Sequence, residues 1–222
     1  MKQKIYFHLS AVMISMAPLA YLAYQWKSIP SIIPLHYNYK LMPDRFGDKS
    51  FLWEPAVAIA IVGVLVYTLL VNIPRLDKRL KGSSNNDVFF RIALVVAVFI
   101  SLLNFLILRS ISSQISILFR ALVPISSLLI ACIGNYMYSI KPNYYAGFRI
   151  SWTLSSDFNW KKTHQIGAKV WFWGGIATAF LGLLLPFTYA VICFIFFMLL
   201  IFIVPGVYSY RIHKAEKNQI GG

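Results

Sequence analysis

Six runs of mostly apolar residues, at 5–26, 53–73, 88–108, 117–138, 168–186 and 188–210, dominate this chain. A hydrocarbon layer of about 30 Å needs roughly 20 residues of helix, because each adds about 1.5 Å and a helix satisfies its own backbone polar groups in lipid. Six such runs predict an all-α polytopic membrane protein, a bundle of six transmembrane helices. The first run is read as a span because its apolar part is too long for a leader and no small-x-small cleavage site closes it. Composition agrees. Only 13% of the 222 residues are charged, against about 25% in an ordinary soluble domain.

The charge is lopsided: 21 Lys and Arg face 7 Asp and Glu, a formal +14. The cations flank apolar runs and form no stripe on a soluble domain, so direct nucleic-acid binding is not expected. With the N-terminus inside, the cytoplasmic ends hold Lys2, Lys4, Arg75, Lys78, Arg79, Lys81, Arg91, Lys141, Arg149, Lys161, Lys162, Lys169, Arg211, Lys214 and Lys217. Six cations remain outside: Lys27, Lys40, Arg45, Lys49, Arg109 and Arg120. This bias predicts a multi-pass protein of the cytoplasmic membrane with both termini in the cytoplasm. The chain is read as one membrane domain, 1–222. Its N-terminal part, 1–80, carries an external proline-rich loop at 27–52, and its C-terminal part, 81–222, carries a cytoplasmic segment at 139–167.

Within the spans, Ser127, Ala131 and Gly134 share the spacing of Gly175, Ala179 and Gly182. Small residues on one face let helices approach closely, so the two stripes are expected to be packing surfaces, against each other or another helix. The link around Pro186 is short enough to make the last two spans a tight antiparallel hairpin. Cys132 and Cys193 lie in apolar runs and read as small buried residues, with no disulfide or metal framework implied.

In the outer segment Pro30, Pro34 and Pro43 each fix one dihedral and bias the preceding residue toward extended geometry, so a structured non-helical loop is expected. Turns are predicted over residues 38–41 and 43–46. His36 and Asp44 invite a metal or acid–base reading, but a zinc site wants three or four ligands. A structural network within the loop, or contact with an external ligand, suits the pair better.

The inner segment contains the turn formers Pro142, Asn143 and Gly147 and then a helix start: Ser155 or Ser156 as cap, with Asp157 in the first turn, where the helix dipole favours an anion. From there Trp160, His164, Gly167 and Trp171 share one face, with Lys162, Gln165 and Lys169 opposite. The pattern predicts a short cytoplasmic interfacial helix before the fifth span, its aromatic side against the headgroups. Ser, Asp and His together suggest hydrolysis, yet the Ser and Asp are explained as capping residues and no G-x-S-x-G surrounds either serine. Arg149 is expected to contact lipid phosphate, the Asp157 carboxylate or a protein partner.

Two motifs carry a resemblance. Residues 33–44 read IPLHYNYKLMPD, similar to I-P-x-H-x-N-x-x-G-x-P-D, the mark of an uncharacterised N-terminal membrane domain. Residues 147–167 read GFRISWTLSSDFNWKKTHQIG, similar to G-x-R-T-P-W-T-L-x-S-x-x-x-W-x-x-T-H-x-x-G. Together they resemble the SdpI family of bacterial membrane proteins, named for an immunity protein against a sporulation-delaying peptide toxin. Leu41 stands at the usual glycine, and Ile150 and Ser151 at the usual Thr-Pro.

The resemblance implies a non-enzymatic protein without cofactor or metal. Its partners would be the bilayer, a secreted peptide toxin and a winged-helix repressor held at the membrane. By position it nominates Gly147, Arg149, Trp152, Thr153, Leu154, Ser156, Trp160, Thr163, His164 and Gly167 as a binding site, with His36, Asn38, Pro43 and Asp44 as a second. Replacing Arg149 or Trp152 with Ala is expected to abolish protection or partner capture while leaving insertion intact. The alternatives are an intramembrane enzyme or a transporter acting on a peptide or lipid. Ionisable residues or broken helices at mid-membrane would favour them; the span interiors offer Asn104, with His8 near an end, and mild hints at Pro124 and Pro205.

Overall fold

The computed structural model describes residues 2–38, 42–80, 86–113 and 116–220. In chain order the elements are α1 (Lys2–Gln25), β1 (Ile32–Tyr37), β2 (Pro43–Asp48), a 3₁₀ turn (Lys49–Leu52), α2 (Trp53–Leu76), α3 (Asn86–Ser113), α4 (Ser116–Met137), α5 (Ser151–Ser155), α6 (Asp157–Leu184) and α7 (Phe187–Ile220). Among the described residues, five helical segments are long and apolar enough to cross a membrane: Lys49–Leu76, Asp87–Ile111, Leu118–Met137, Asp157–Leu184 and Phe187–Gln219. The all-α polytopic reading holds at that level. The chain divides into two compact units, Met1–Thr68 with Val96–Ala121, and Leu69–Val95 with Leu122–Gly222.

In the first unit, Pro18 sits inside α1 and has no N–H to offer the Ile14 carbonyl four residues earlier. Ser101 on α3 supplies the missing donor, its Oγ 2.6 Å from Ile14 O. Asn104 donates through Nδ2 to Ala56 O at 2.9 Å, joining α3 to α2 in the same way. Leu22, Ile29, Ile33, Leu52, Ala56 and Leu108 form a core around the 27–52 segment.

That segment is an antiparallel hairpin, and the sequence reading missed it. Residues 43–46, expected as a turn, lie in β2; the turn expected over 38–41, with Leu41, falls mostly outside the described residues. The register pairs Ile32 with Asp48, Ile33 with Gly47, Pro34 with Phe46, His36 with Arg45 and Tyr37 with Pro43, with irregularities on either side of His36. Prolines fit because a two-stranded ribbon is all edge, where a missing donor need not cost a ladder bond. Asp48 caps the following 3₁₀ turn, and hydrogen bonds from the Ser50 side chain and amide hold its carboxyl below the usual range.

In the second unit, the two small-residue stripes pack as expected. A Cβ on Gly175 would lie 2.6 Å from Ser127 O and 2.9 Å from Ala131 Cβ. One on Gly134 would lie 2.6 Å from Trp171 Cβ, and one on Gly182 2.9 Å from Val123. Close approach of α4 and α6 therefore requires glycine at these points. The link between α6 and α7 is tight, with Leu185 N donating to Leu181 O and Ala190 N to Pro186 O.

Three expectations change. Residues 157–184 form one continuous helix, so no separate interfacial helix precedes the span. The Trp160–His164–Gly167 face lies buried inside the protein, not against headgroups, because the 138–150 loop folds over it. Cys132 is exposed and Cys193 half-buried; both are free thiols.

Candidate functional site

The loop after α4 is shaped by polar side chains that bind its own backbone. Asn143, fully buried, accepts from Tyr145 N at 2.8 Å and Ala146 N at 2.7 Å. Its Nδ2 donates to Lys141 O at 2.9 Å and Ala146 O at 3.0 Å, so the amide is saturated. Asp77, just beyond α2, ties in the neighbouring turn: Oδ2 accepts from Tyr144 N at 2.6 Å and Oδ1 from Arg79 N at 2.8 Å. The Arg79 guanidinium lies 4.4 Å from the Tyr144 ring centroid and donates to Leu154 O at 3.1 Å. Arg149 Nη1 donates to the Tyr144 carbonyl.

Gly147 then turns the chain with φ +110°, a region where side chains are strained. A Cβ there would also collide with His164 Nε2. The turn delivers the Phe148 N–H to His164 Nε2 at 3.1 Å, while His164 Nδ1 lies 2.8 Å from Trp160 O. Only one neutral tautomer satisfies both contacts: Nδ1 carries the proton and donates to the carbonyl, and Nε2 accepts from the amide. Trp160 stacks on the imidazole at 4.1 Å and donates from Nε1 to Ile140 O at 2.9 Å. With both nitrogens occupied by backbone, His164 fastens the loop to α6 and is not free for proton transfer. Gly167 leaves room for the Phe148 ring, whose Cε2 would lie 2.5 Å from an added Cβ.

Thr153 sets up the short helix α5. Its Oγ1 accepts from Ile150 N at 3.0 Å and lies 2.5 Å from Phe148 O, to which it donates. Ser151 occupies the first helical position, where proline is also at home, and Ile150 at the N-cap makes no side-chain cap hydrogen bond. Ser156, as expected, caps α6 by accepting from Asn159 N at 3.1 Å, and it donates to Glu216 Oε1 at 2.7 Å.

A second buried chain of hydrogen bonds joins this segment to α7. Trp152 Nε1 donates to Ser209 Oγ at 2.9 Å, and Ser209 donates to Asn159 Oδ1 at 2.7 Å. Thr163 Oγ1 also donates to Asn159 Oδ1, at 2.9 Å, and Asn159 Nδ2 donates to Ser209 O at 3.0 Å. Trp152 stacks on His213 at 5.4 Å with the rings 17° from parallel. The continuation of α7 past residue 210 is thus held by side chains of the signature.

The structure brings Gly147, Trp152, Thr153, Ser156, Trp160, Thr163, His164 and Gly167 into one framework. Leu154 joins through its carbonyl. Arg149 stands exposed and, among the described residues, makes no ion pair with Asp157. Sequence reading had Asn143 as a turn former and Arg79 as a cytoplasmic cation without their partners, and it missed Asp77, Asn159, Ser209 and Glu216. A lone Asp in a basic turn and polar residues flanking apolar runs were the available signals.

In the N-terminal hairpin, His36 Nδ1 and Asp44 Oδ1 meet at 2.6 Å with side chains 57% and 43% exposed. Asn38 closes the ribbon: its N–H donates to Met42 O at 2.9 Å, and its Oδ1 accepts from Met42 N at 3.1 Å. Pro43 opens β2. These residues therefore make two separate contacts within the hairpin, His36 with Asp44 and Asn38 with Met42, while Pro43 pairs with Tyr37. No group of three or more His, Cys, Asp or Glu suited to a metal occurs among the described residues.

The model of the SdpI/YfhL protein family matches residues 139–209, from the loop through α5 and α6 into α7. A domain of unknown function, DUF1648, matches residues 13–59, which hold the hairpin. No curated protein and no solved structure matches the chain. This multi-pass membrane protein thus carries a segment similar to the SdpI/YfhL family over residues 139–209 and one similar to DUF1648 over residues 13–59.

Proposed function

We propose that this chain is a membrane immunity and sensing protein. Six helices, α1 included, cross the bacterial cytoplasmic membrane with both termini in the cytosol. The outer hairpin meets a secreted antimicrobial peptide, and the 139–167 connector holds a winged-helix repressor. The observation that carries this reading is the connector's construction: a buried, hydrogen-bonded frame presents exposed Tyr145, Phe158 and Lys161 on a fixed backbone. Rigid scaffolds that display exposed aromatic and charged groups are typical of recognition surfaces. Communication between the two sites requires the peptide to prefer one arrangement of the helices.

Phe158→Ala with Lys161→Glu tests it, because both side chains lie outside the frame. Cells lacking the native gene and carrying the double variant should insert the protein normally but recover far less repressor with their membranes. Wild-type recovery and wild-type resistance to the peptide would overturn the reading.

A further inference from the structure

The turn from Tyr144 to Arg149 has two chemically different features. Ala146, Gly147 and Phe148 line an apolar cavity of about 160 Å³, together with Leu70, Ile133, Trp171, Phe202 and other residues of the surrounding helices. Phe202 and Gly147 are themselves exposed, so the cavity is not sealed. On the same turn, two guanidinium groups meet Tyr144, Arg79 over its ring and Arg149 on its carbonyl. Both arginines are exposed, and neither has a carboxylate partner among the described residues. The nearby acid, Asp77, is buried and gives its two oxygens to the amides of Arg79 and Tyr144. Each guanidinium offers five N–H groups in a planar fork, so most of this donor capacity is uncommitted.

We infer that this turn binds one anionic phospholipid, its phosphate against Arg79 and Arg149 and part of one acyl chain entering the cavity. Charge complementarity selects the occupant. An apolar hollow alone would take any hydrocarbon, and a guanidinium pair alone any anion, whereas this turn joins the two as a phospholipid joins phosphate to chain. The placement agrees, since Phe89 lies in the first turn of α3, Met137 closes α4 and Ile140 follows it in the polar connector, where headgroups would meet the acyl region. The inference stands independently of toxin or repressor.

The test uses the full chain in mixed micelles, with native mass spectrometry reading retained lipid. Wild type should retain one phosphatidylglycerol in preference to phosphatidylcholine. Arg79→Gln and Arg149→Gln should each cut that preference about five-fold, the effect of roughly one cation near an anionic headgroup. Ile133→Phe, which narrows the cavity without touching charge, should weaken retention of both lipids. Glycerol 3-phosphate, lacking a chain, should neither bind nor displace the lipid. Equal retention of the two lipids by wild type, which needs no variant to fold, would overturn the inference. So would full-strength binding of glycerol 3-phosphate or of an acidic peptide in place of lipid, or Gln variants that stay folded by size exclusion and keep the full preference.

Discussion

His36 meets Asp44 on the surface of the N-terminal hairpin, whereas His164 meets Trp160 O and the Phe148 N–H in an interior where it is 1% exposed. Both histidines belong to short motifs. One makes a contact that water can replace; the other makes contacts that nothing else nearby can. The same contrast runs through the neighbouring amides: Asn38 closes the tip of the hairpin, while Asn143 and Asn159 are fully buried and spend their side-chain polar atoms on named partners. A motif residue in the connector is thus first a structural fastener, and contact with other molecules falls to exposed neighbours.

Substitutions can break or sharpen this contrast. Gly147→Ala should have the largest effect, about 3 kcal/mol or more of stability lost, because left-handed strain adds to a collision with His164. Unfolding in mixed micelles would measure it. His164→Ala should cost about 3 kcal/mol, from the orphaned Phe148 N–H and the void beside Trp160. Asn143→Ala should cost about 2 kcal/mol, since it frees two amides and two carbonyls of which some can reach water. At the other extreme, His36→Ala or Asp44→Ala should change stability by about 1 kcal/mol or less, as exposed pairs do. Equal losses at His36 and His164 would erase the distinction.

Much of this was legible in the sequence because it is local or periodic. Apolar runs mark the spans, the stripes at Ser127–Gly134 and Gly175–Gly182 mark a packing face, and Ser156 before Asp157 marks a helix start. The shared face of Trp160, His164 and Gly167 was also readable, but not what covers it. Phe148 and Ile140 reach that face by a fold-back that leaves no periodic trace. Ser209 and Glu216 lie some fifty to sixty positions from their partners Trp152 and Ser156, and Asp77 lies 67 from Tyr144. Pairings at such separations depend on tertiary placement. The hairpin was missed for a different reason: Pro34, Pro43 and the irregular register around His36 disrupt the alternation by which strands are recognised.

The most direct test is amide hydrogen exchange on the full chain in lipid nanodiscs, comparing the connector with the hairpin tip. Tyr145, Ala146, Phe148 and Ile150 each donate to a side chain of the frame. The account predicts that these four exchange only through large-scale unfolding, orders of magnitude more slowly than Met42 N–H at the exposed tip. Exchange at Phe148 as fast as at Met42 would contradict it.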